Sequence, residues 1–249
     1  MPSLPLSPPP SPRTLACGGL GGGLLLLSLA PTLALEQGNT AAHAAVFLLL
    51  CLLASGAFAA VLYSTRRMES ALQALLPIGL AFLLRAAMLD HQSADYMDFL
   101  SRWVETFRQN GGFAAIKQPI GNYNAPYLYF LAAFSYLPLS DLYLIKLLSI
   151  TFDVILAWGG LRLVRRLRPE ELRRQTACFC VLLLLPTAVL NGACWGQCDS
   201  LYGGLVLHAL ADALDGRGKR SCALLGLAFS FKLQTIFLIP LWGGLWLAK

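Results

Sequence analysis

Between Ala42 and Tyr63 the chain carries no charged residue, and the run closes abruptly on STRRMES. A helix of about 20 apolar residues matches the roughly 30 Å hydrocarbon core of a bilayer. A strand left open in lipid would strand its backbone polar groups, so a span of this kind is helical. Further apolar runs follow at 71–89, 142–163, 176–191 and 200–214, and a last one extends from Ser221 to Leu247. Charged residues make up 13% of the 249 residues, against about 25% in soluble domains. The expected fold class is therefore all-α, a multi-span transmembrane helical protein.

The net charge of +6 does not indicate nucleic acid, because the basic residues lie between apolar runs, as in cytoplasmic loops. Arg66–Arg67, the cluster Arg162–Arg174 and the DGRGKR stretch at 215–220 are thus expected inside. The segments Asp90–Asn124 and 191–199 fall outside, so WGQCDS and SADYMDFLSRW share one face of the membrane. Residues 126–138 are too short to cross and read as a re-entrant or interfacial helix, with Pro126 in its first turn. Residues 1–15 are Pro/Ser-rich and read as disordered, and 18–35 as a signal-anchor or poor first span broken by Pro31. The chain divides into an N-terminal segment 1–40 and a transmembrane domain 41–249.

The outer segment has helical period. Tyr96, Phe99, Trp103 and Phe107 fall on one face; Asp95, Asp98, Arg102 and Glu105 fall on another. Ser93 can cap the helix and Gly111–Gly112 can end it. This predicts an amphipathic helix lying flat on the outer face, aromatics down. Asp95 and Asp98 can each serve as base, metal ligand or solvated charge, and Asp98 can pair with Arg102 at i, i+4. Asp199 can be a helix cap or a ligand group. Lys232 is the sharpest residue, because a lysine within an apolar run costs about 3 kcal/mol to insert and calls for an anion. Lys146 and Asp153, seven residues apart, can pair with other helices. Of the seven cysteines, Cys194 and Cys198 are spaced as a pair but lack the further ligands of a zinc site. His91 and His208 stand alone. No Gly-rich phosphate loop, Ser-His-Asp set or HExxH occurs.

Five motifs in order, DYMDFLSRW, GGFAAIKQPIGNYNAPYLYFL, LYLIKLLSITFDVILA, LPTAVLNGACWGQCDSLYG and GLAFSFKLQTIFLIP, resemble bacterial membrane mannosyltransferases related to the GPI-anchor second mannosyltransferase. These have the C-type glycosyltransferase fold. The resemblance covers residues 72–249 and implies a GT-C-like N-terminal half in the bacterial plasma membrane. It implies transfer of a hexose, mannose or glucose, from a polyprenyl-phosphate sugar to a hydroxyl on a glycan, lipid or protein acceptor at the outer face. Asp95 is then the catalytic base, with Asp98 in reserve. Gln197 and Asp199 belong to the same site, and Lys232, with Arg102, meets the donor phosphate. Trp103, Tyr123 and Trp195 form a platform for the sugar, beside Asn124 and Gln234. A divalent ion between Asp95 and Asp199 is compatible but not required. The family pattern NYNPPYLY has Pro where this chain has Ala125. Such enzymes are longer, so the domain is expected to be incomplete at its C-terminus. The alternatives are a transporter or flippase of a lipid-linked sugar, or a non-catalytic membrane subunit.

Overall fold

The computed structural model describes residues 9–28, 30 and 40–247. Among them every regular element is helical and no strand occurs. Helix α1 is Pro12–Leu27, α2 Thr40–Thr65 and α3 Met68–Ala87. A π-helical turn, Tyr96–Leu100, leads into α4, Ser101–Gln109. A 3₁₀ turn, Gly112–Lys117, precedes α5, Ala125–Phe134, and α6, Asp141–Leu167. Helix α7, Leu172–Leu184, bends by 44° into the unit Pro186–Cys194, whose first turn is α8, Pro186–Val189. Helices α9, Asp199–Leu214, and α10, Gly218–Phe231, are followed by a 3₁₀ segment, Leu233–Leu238, and α11, Ile239–Leu247.

Three helical stretches, Ala41–Thr65, Met68–Ala87 and Asp141–Leu167, are long and apolar enough to cross a membrane; the bent pair Leu172–Leu184 and Pro186–Cys194 makes a fourth if counted as one span. These correspond to the expected runs at 42–63, 71–89, 142–163 and 176–191. The run at 200–214 forms a helix of 16 residues, about 24 Å at 1.5 Å per residue, which is short for a 30 Å core. The last run is not continuous, because Lys232 sits in extended backbone (φ −148°, ψ 122°) between α10 and the 3₁₀ segment.

The N-terminal segment differs from its reading. Helix α1 begins inside the stretch read as disordered, capped by Ser11, whose Oγ accepts from the Thr14 N–H at 3.3 Å, with Pro12 leading the first turn. Residues 1–8 and Pro31 lie outside the described residues. Helix α1 rests on α3 through glycine: a Cβ placed on Gly79 would stand 2.3 Å from the Gly21 carbonyl oxygen. Small residues permit this close backbone approach.

The main core joins α2, α3, α6 and α7 through side chains such as Val46, Leu50, Ile78, Phe82, Ile150 and Phe179. Within it one face of α6 is polar. Lys146 Nζ donates to the carbonyls of Met88 (2.7 Å), Leu89 (2.9 Å) and His91 (2.6 Å), which closes the C-terminal end of α3. Ser149 Oγ donates to the Gln197 carbonyl at 2.8 Å. Asp153 Oδ2 accepts from Arg85 Nη2 (2.9 Å) and Nε (3.1 Å), and its Oδ1 accepts from Ser200 Oγ at 2.5 Å. Both charged side chains are fully buried. Lys146 and Asp153 thus pair with other helices, as their spacing suggested.

The basic connectors gather at one end. There Arg162 meets Asp212 at 2.5 Å and His208 at 2.8 Å, Arg220 meets Asp212 at 3.0 Å, and Arg165 donates to the Ser64 carbonyl at 3.1 Å. The segment 90–124 and the turn at 195–198 lie at the other end of α6, around Lys146 and Ser149.

Candidate functional site

The first connector is rooted at its base. Ser93 Oγ accepts from the Tyr96 N–H at 3.2 Å and donates to the Trp195 carbonyl at 2.8 Å, so the expected cap also ties the two connectors together. The helix ends as expected at Gly111, where φ is 80°. Tyr96, Trp103 and Phe107 lie on its buried face, as counted, and Phe99 does not. Leu100, Val104 and Phe107 are buried against Ile120, Tyr127, Leu131, Cys198 and Leu201, while Phe99 is exposed. Leu100, Trp103 and Phe107 follow Tyr96 at steps of three and four. The aromatic side therefore packs on the protein body, which corrects the picture of a helix lying with its aromatics on the bilayer.

Asp95 lies at the start of this turn. Its Oδ2 accepts from Gln197 Nε2 at 2.5 Å, and Gln197 Oε1 accepts from the Tyr123 hydroxyl at 3.0 Å. Burial raises the Tyr123 phenol above its ordinary range, and neighbouring charges including Asp199 and Asp95 add to the effect. A carboxylate only accepts, so the Gln197 amide turns its N–H to Asp95 and leaves its oxygen to accept from the Tyr123 hydroxyl. Beside them burial pushes the Cys198 thiol to about 11, so it stays neutral. Cys194 and Cys198 are both free.

A second cluster adjoins the first. Lys232 Nζ bonds Asp199 Oδ1, and Asn191 Nδ2 donates to Asp199 Oδ2 at 3.0 Å. The ammonium also stands 5.5 Å from the Tyr202 ring centroid. The sequence placed Lys232 within a span; the break after α10 instead brings it to the wall of an open cleft.

Three clefts connect these groups. The largest, about 500 Å³, is lined by Asn122, Tyr123, Asn124, Lys232 and Gln234, with Phe231 and Phe237 among its apolar walls. The smallest, about 160 Å³, holds Asp95, Trp103, Asn122 and Tyr123. The third, about 370 Å³, holds His91, Ser93, Asp95, Trp195 and Gln197. Asn122 and Tyr123 are common to the first two, and Asp95 to the last two. Trp103 stands edge-on to Tyr123 with centroids 5.6 Å apart. The loop passes closely beneath its indole at Gly121, where φ is 74° and a Cβ would come within 2.8 Å of the ring.

Nine of the residues singled out in the sequence are thus brought together: Asp95, Trp103, Tyr123, Asn124, Trp195, Gln197, Asp199, Lys232 and Gln234. Asp98 and Arg102 are not. Both are largely exposed, they face each other at 4.0 Å, and they line none of the three clefts. Asn191, Asn122 and Tyr202 went unremarked in the sequence. Asn191 had a signal, as the first amide after an apolar run. Among the described residues no three His, Cys, Asp or Glu side chains form a metal-holding group. Asp95 and Asp199 are each held by a donor, Gln197 and Lys232 respectively.

No family model, curated protein or solved structure matches this chain.

Proposed function

We propose that this protein is an integral-membrane glycosyltransferase. It moves a hexose from a polyprenyl-phosphate sugar to a hydroxyl acceptor at the outer face of a bacterial plasma membrane. One observation carries the reading: Asp95 stands where two clefts meet, and the adjoining cleft contains Lys232. A base and a cation in adjoining clefts are what a single displacement from a phosphate ester requires. The apolar helices supply a bilayer setting in which a polyprenyl chain is at home.

The donor phosphate enters the large cleft beside Lys232, sharing the ammonium that Asp199 and the Tyr202 ring now hold in place. The acceptor hydroxyl approaches through the cleft walled by Trp195. Asp95 Oδ1, which has no partner among the described residues, takes the hydroxyl proton as the oxygen attacks the anomeric carbon. The bond from that carbon to the phosphate oxygen breaks, and its electron pair leaves with the phosphate. No acid is needed, since the phosphate departs as a stable anion, and a cation lowers its cost. Arg102 is turned toward Asp98, so Lys232 carries this role alone. Gln197 and Tyr123 orient the base, and Trp103 offers an aromatic wall to the sugar.

The test is transfer from a radiolabelled polyprenyl-phosphate hexose in membranes expressing the chain, with and without Asp95→Asn. Loss of general-base help should lower transfer by about 10²–10⁴-fold at equal protein level. Equal transfer by parent and variant would remove Asp95 from this role. A product that retains the donor's anomeric configuration would rule out the single displacement.

A further inference from the structure

Far from the clefts, α2 and α6 close on each other only in part. Between them lies an apolar groove of about 460 Å³, walled by Leu52, Gly56, Ala60 and Tyr63 on α2 and by Ile155 and Trp158 on α6. Its bed is small residues: a Cβ placed on Gly56 meets nothing within 4 Å. The groove runs along two of the helices that are long and apolar enough to cross a membrane.

One end of the groove differs from the rest. Tyr63 and Trp158 stand there, and Trp158 Nε1 donates to Ser64 Oγ at 3.1 Å. The Arg66 guanidinium lies 4.6 Å over the Tyr63 ring. Arg66 is the one non-glycine residue with positive φ, 55°, among the described residues. Arg67 follows it, and Arg165 reaches the same corner through the Ser64 carbonyl at 3.1 Å. Arg66, Arg67 and Arg165 are all exposed, and none forms an ion pair among the described residues. The neighbouring arginines behave differently: Arg162 and Arg166 are spent on Asp212 and Asp215.

We infer that this groove binds an anionic phospholipid, with an acyl chain between α2 and α6 and the phosphate under Arg66, Arg67 and Arg165. The charge decides between occupants. A neutral helix or a second copy of the same apolar face would bring no anion to Arg66 and Arg165 at its mouth, or to Arg67 next in the chain. A phosphodiester answers them, and basic pockets between membrane helices on the cytoplasmic side are suited to such head groups. Tyr63 and Trp158 sit at the depth where amphipathic rings belong, between chain and head group. The inference rests on the membrane placement proposed above, and not on sugar transfer.

The experiment is native mass spectrometry of the full chain in a nonionic detergent, titrated with phosphatidylglycerol or with phosphatidylcholine of the same acyl composition. The parent should retain phosphatidylglycerol at least about tenfold more tightly. The triple variant Arg66→Gln, Arg67→Gln, Arg165→Gln should lose that preference. Gly56→Leu, whose Cβ would meet no atom within 4 Å, should reduce retention of both lipids. Equal retention of the two lipids by the parent, an undiminished preference in the triple variant, or unchanged binding in Gly56→Leu would each overturn the inference. So would a dimer that excludes lipid and dissociates on Gly56→Leu. None of these readouts depends on transfer. Release of the chain from membranes by alkaline carbonate without detergent would instead overturn the membrane placement itself.

Discussion

Gln197 is the residue on which the candidate site turns. Both ends of its amide are engaged, with N–H to Asp95 and carbonyl to Tyr123. Leucine at 197 keeps the volume and removes both bonds, so Asp95 loses the donor that orients it. Hydrogen bonds to a charged group contribute about 1.5–3 kcal/mol, so Gln197→Leu should lower transfer by roughly ten- to a hundredfold. Tyr123→Phe leaves the bond between Gln197 and Asp95 in place and should cost less. Initial rates measured at equal protein level separate the two, and a reversed order would mean that Tyr123 acts on substrate directly. In the sequence, each member of this trio is visible as a polar or aromatic residue where an apolar chain spends few of them. What is not visible is the bond. Asp95 and Gln197 are 102 positions apart, and only the seating of both connectors on α6 makes them partners. Asp98 fits the same local pattern as Asp95, and only the folded chain sets it beside Arg102 and away from the clefts.

Among the elements, α3, α6 and α9 are joined by the buried set Arg85, Asp153 and Ser200. Removing one member of a buried ion pair leaves an uncompensated charge and costs about 3–5 kcal/mol, whereas replacing both by apolar groups is often close to neutral. Arg85→Leu should therefore lower the thermal aggregation midpoint in detergent sharply. Arg85→Leu with Asp153→Leu should recover most of the loss. A single variant as stable as the parent would contradict the pairing. Asp153 was legible as a charge in need of a partner, but Arg85 was passed over, one cation near the end of an otherwise apolar run. The long apolar helices were legible for a simple reason: length and hydropathy are local properties. What the aromatic face of α4 packs on was not, because Tyr127, Leu131 and Leu201 lie far along the chain. Nor was the break at Lys232, which no proline or glycine announces.

For the whole molecule, the two ends differ in chemistry. One end gathers Arg66, Arg67, Arg162, Arg165 and Arg220; the other gathers the clefts. If the helices cross a bilayer, the basic end is cytoplasmic. In a chain with its native cysteines replaced, Asp98→Cys should react with an impermeant maleimide in intact cells. Arg217→Cys should react only after permeabilisation. Both positions are exposed, so the same labelling pattern at the two sites would rule out the transmembrane arrangement.

The polar face of α6 has a mechanical consequence. Lys146 grips the root of the connector that carries Asp95, and Ser149 grips the backbone of Gln197. These two anchors are three residues apart, about 4.5 Å along one helix axis. The gap between base and orienting amide is therefore gauged by a single rigid turn, not by the loops that bear them. Substitutions within the loops can change what the clefts accept while that gauge stays constant. A slip of α6 by one residue would move both anchors together, displacing the site as a unit and leaving its internal spacing unchanged.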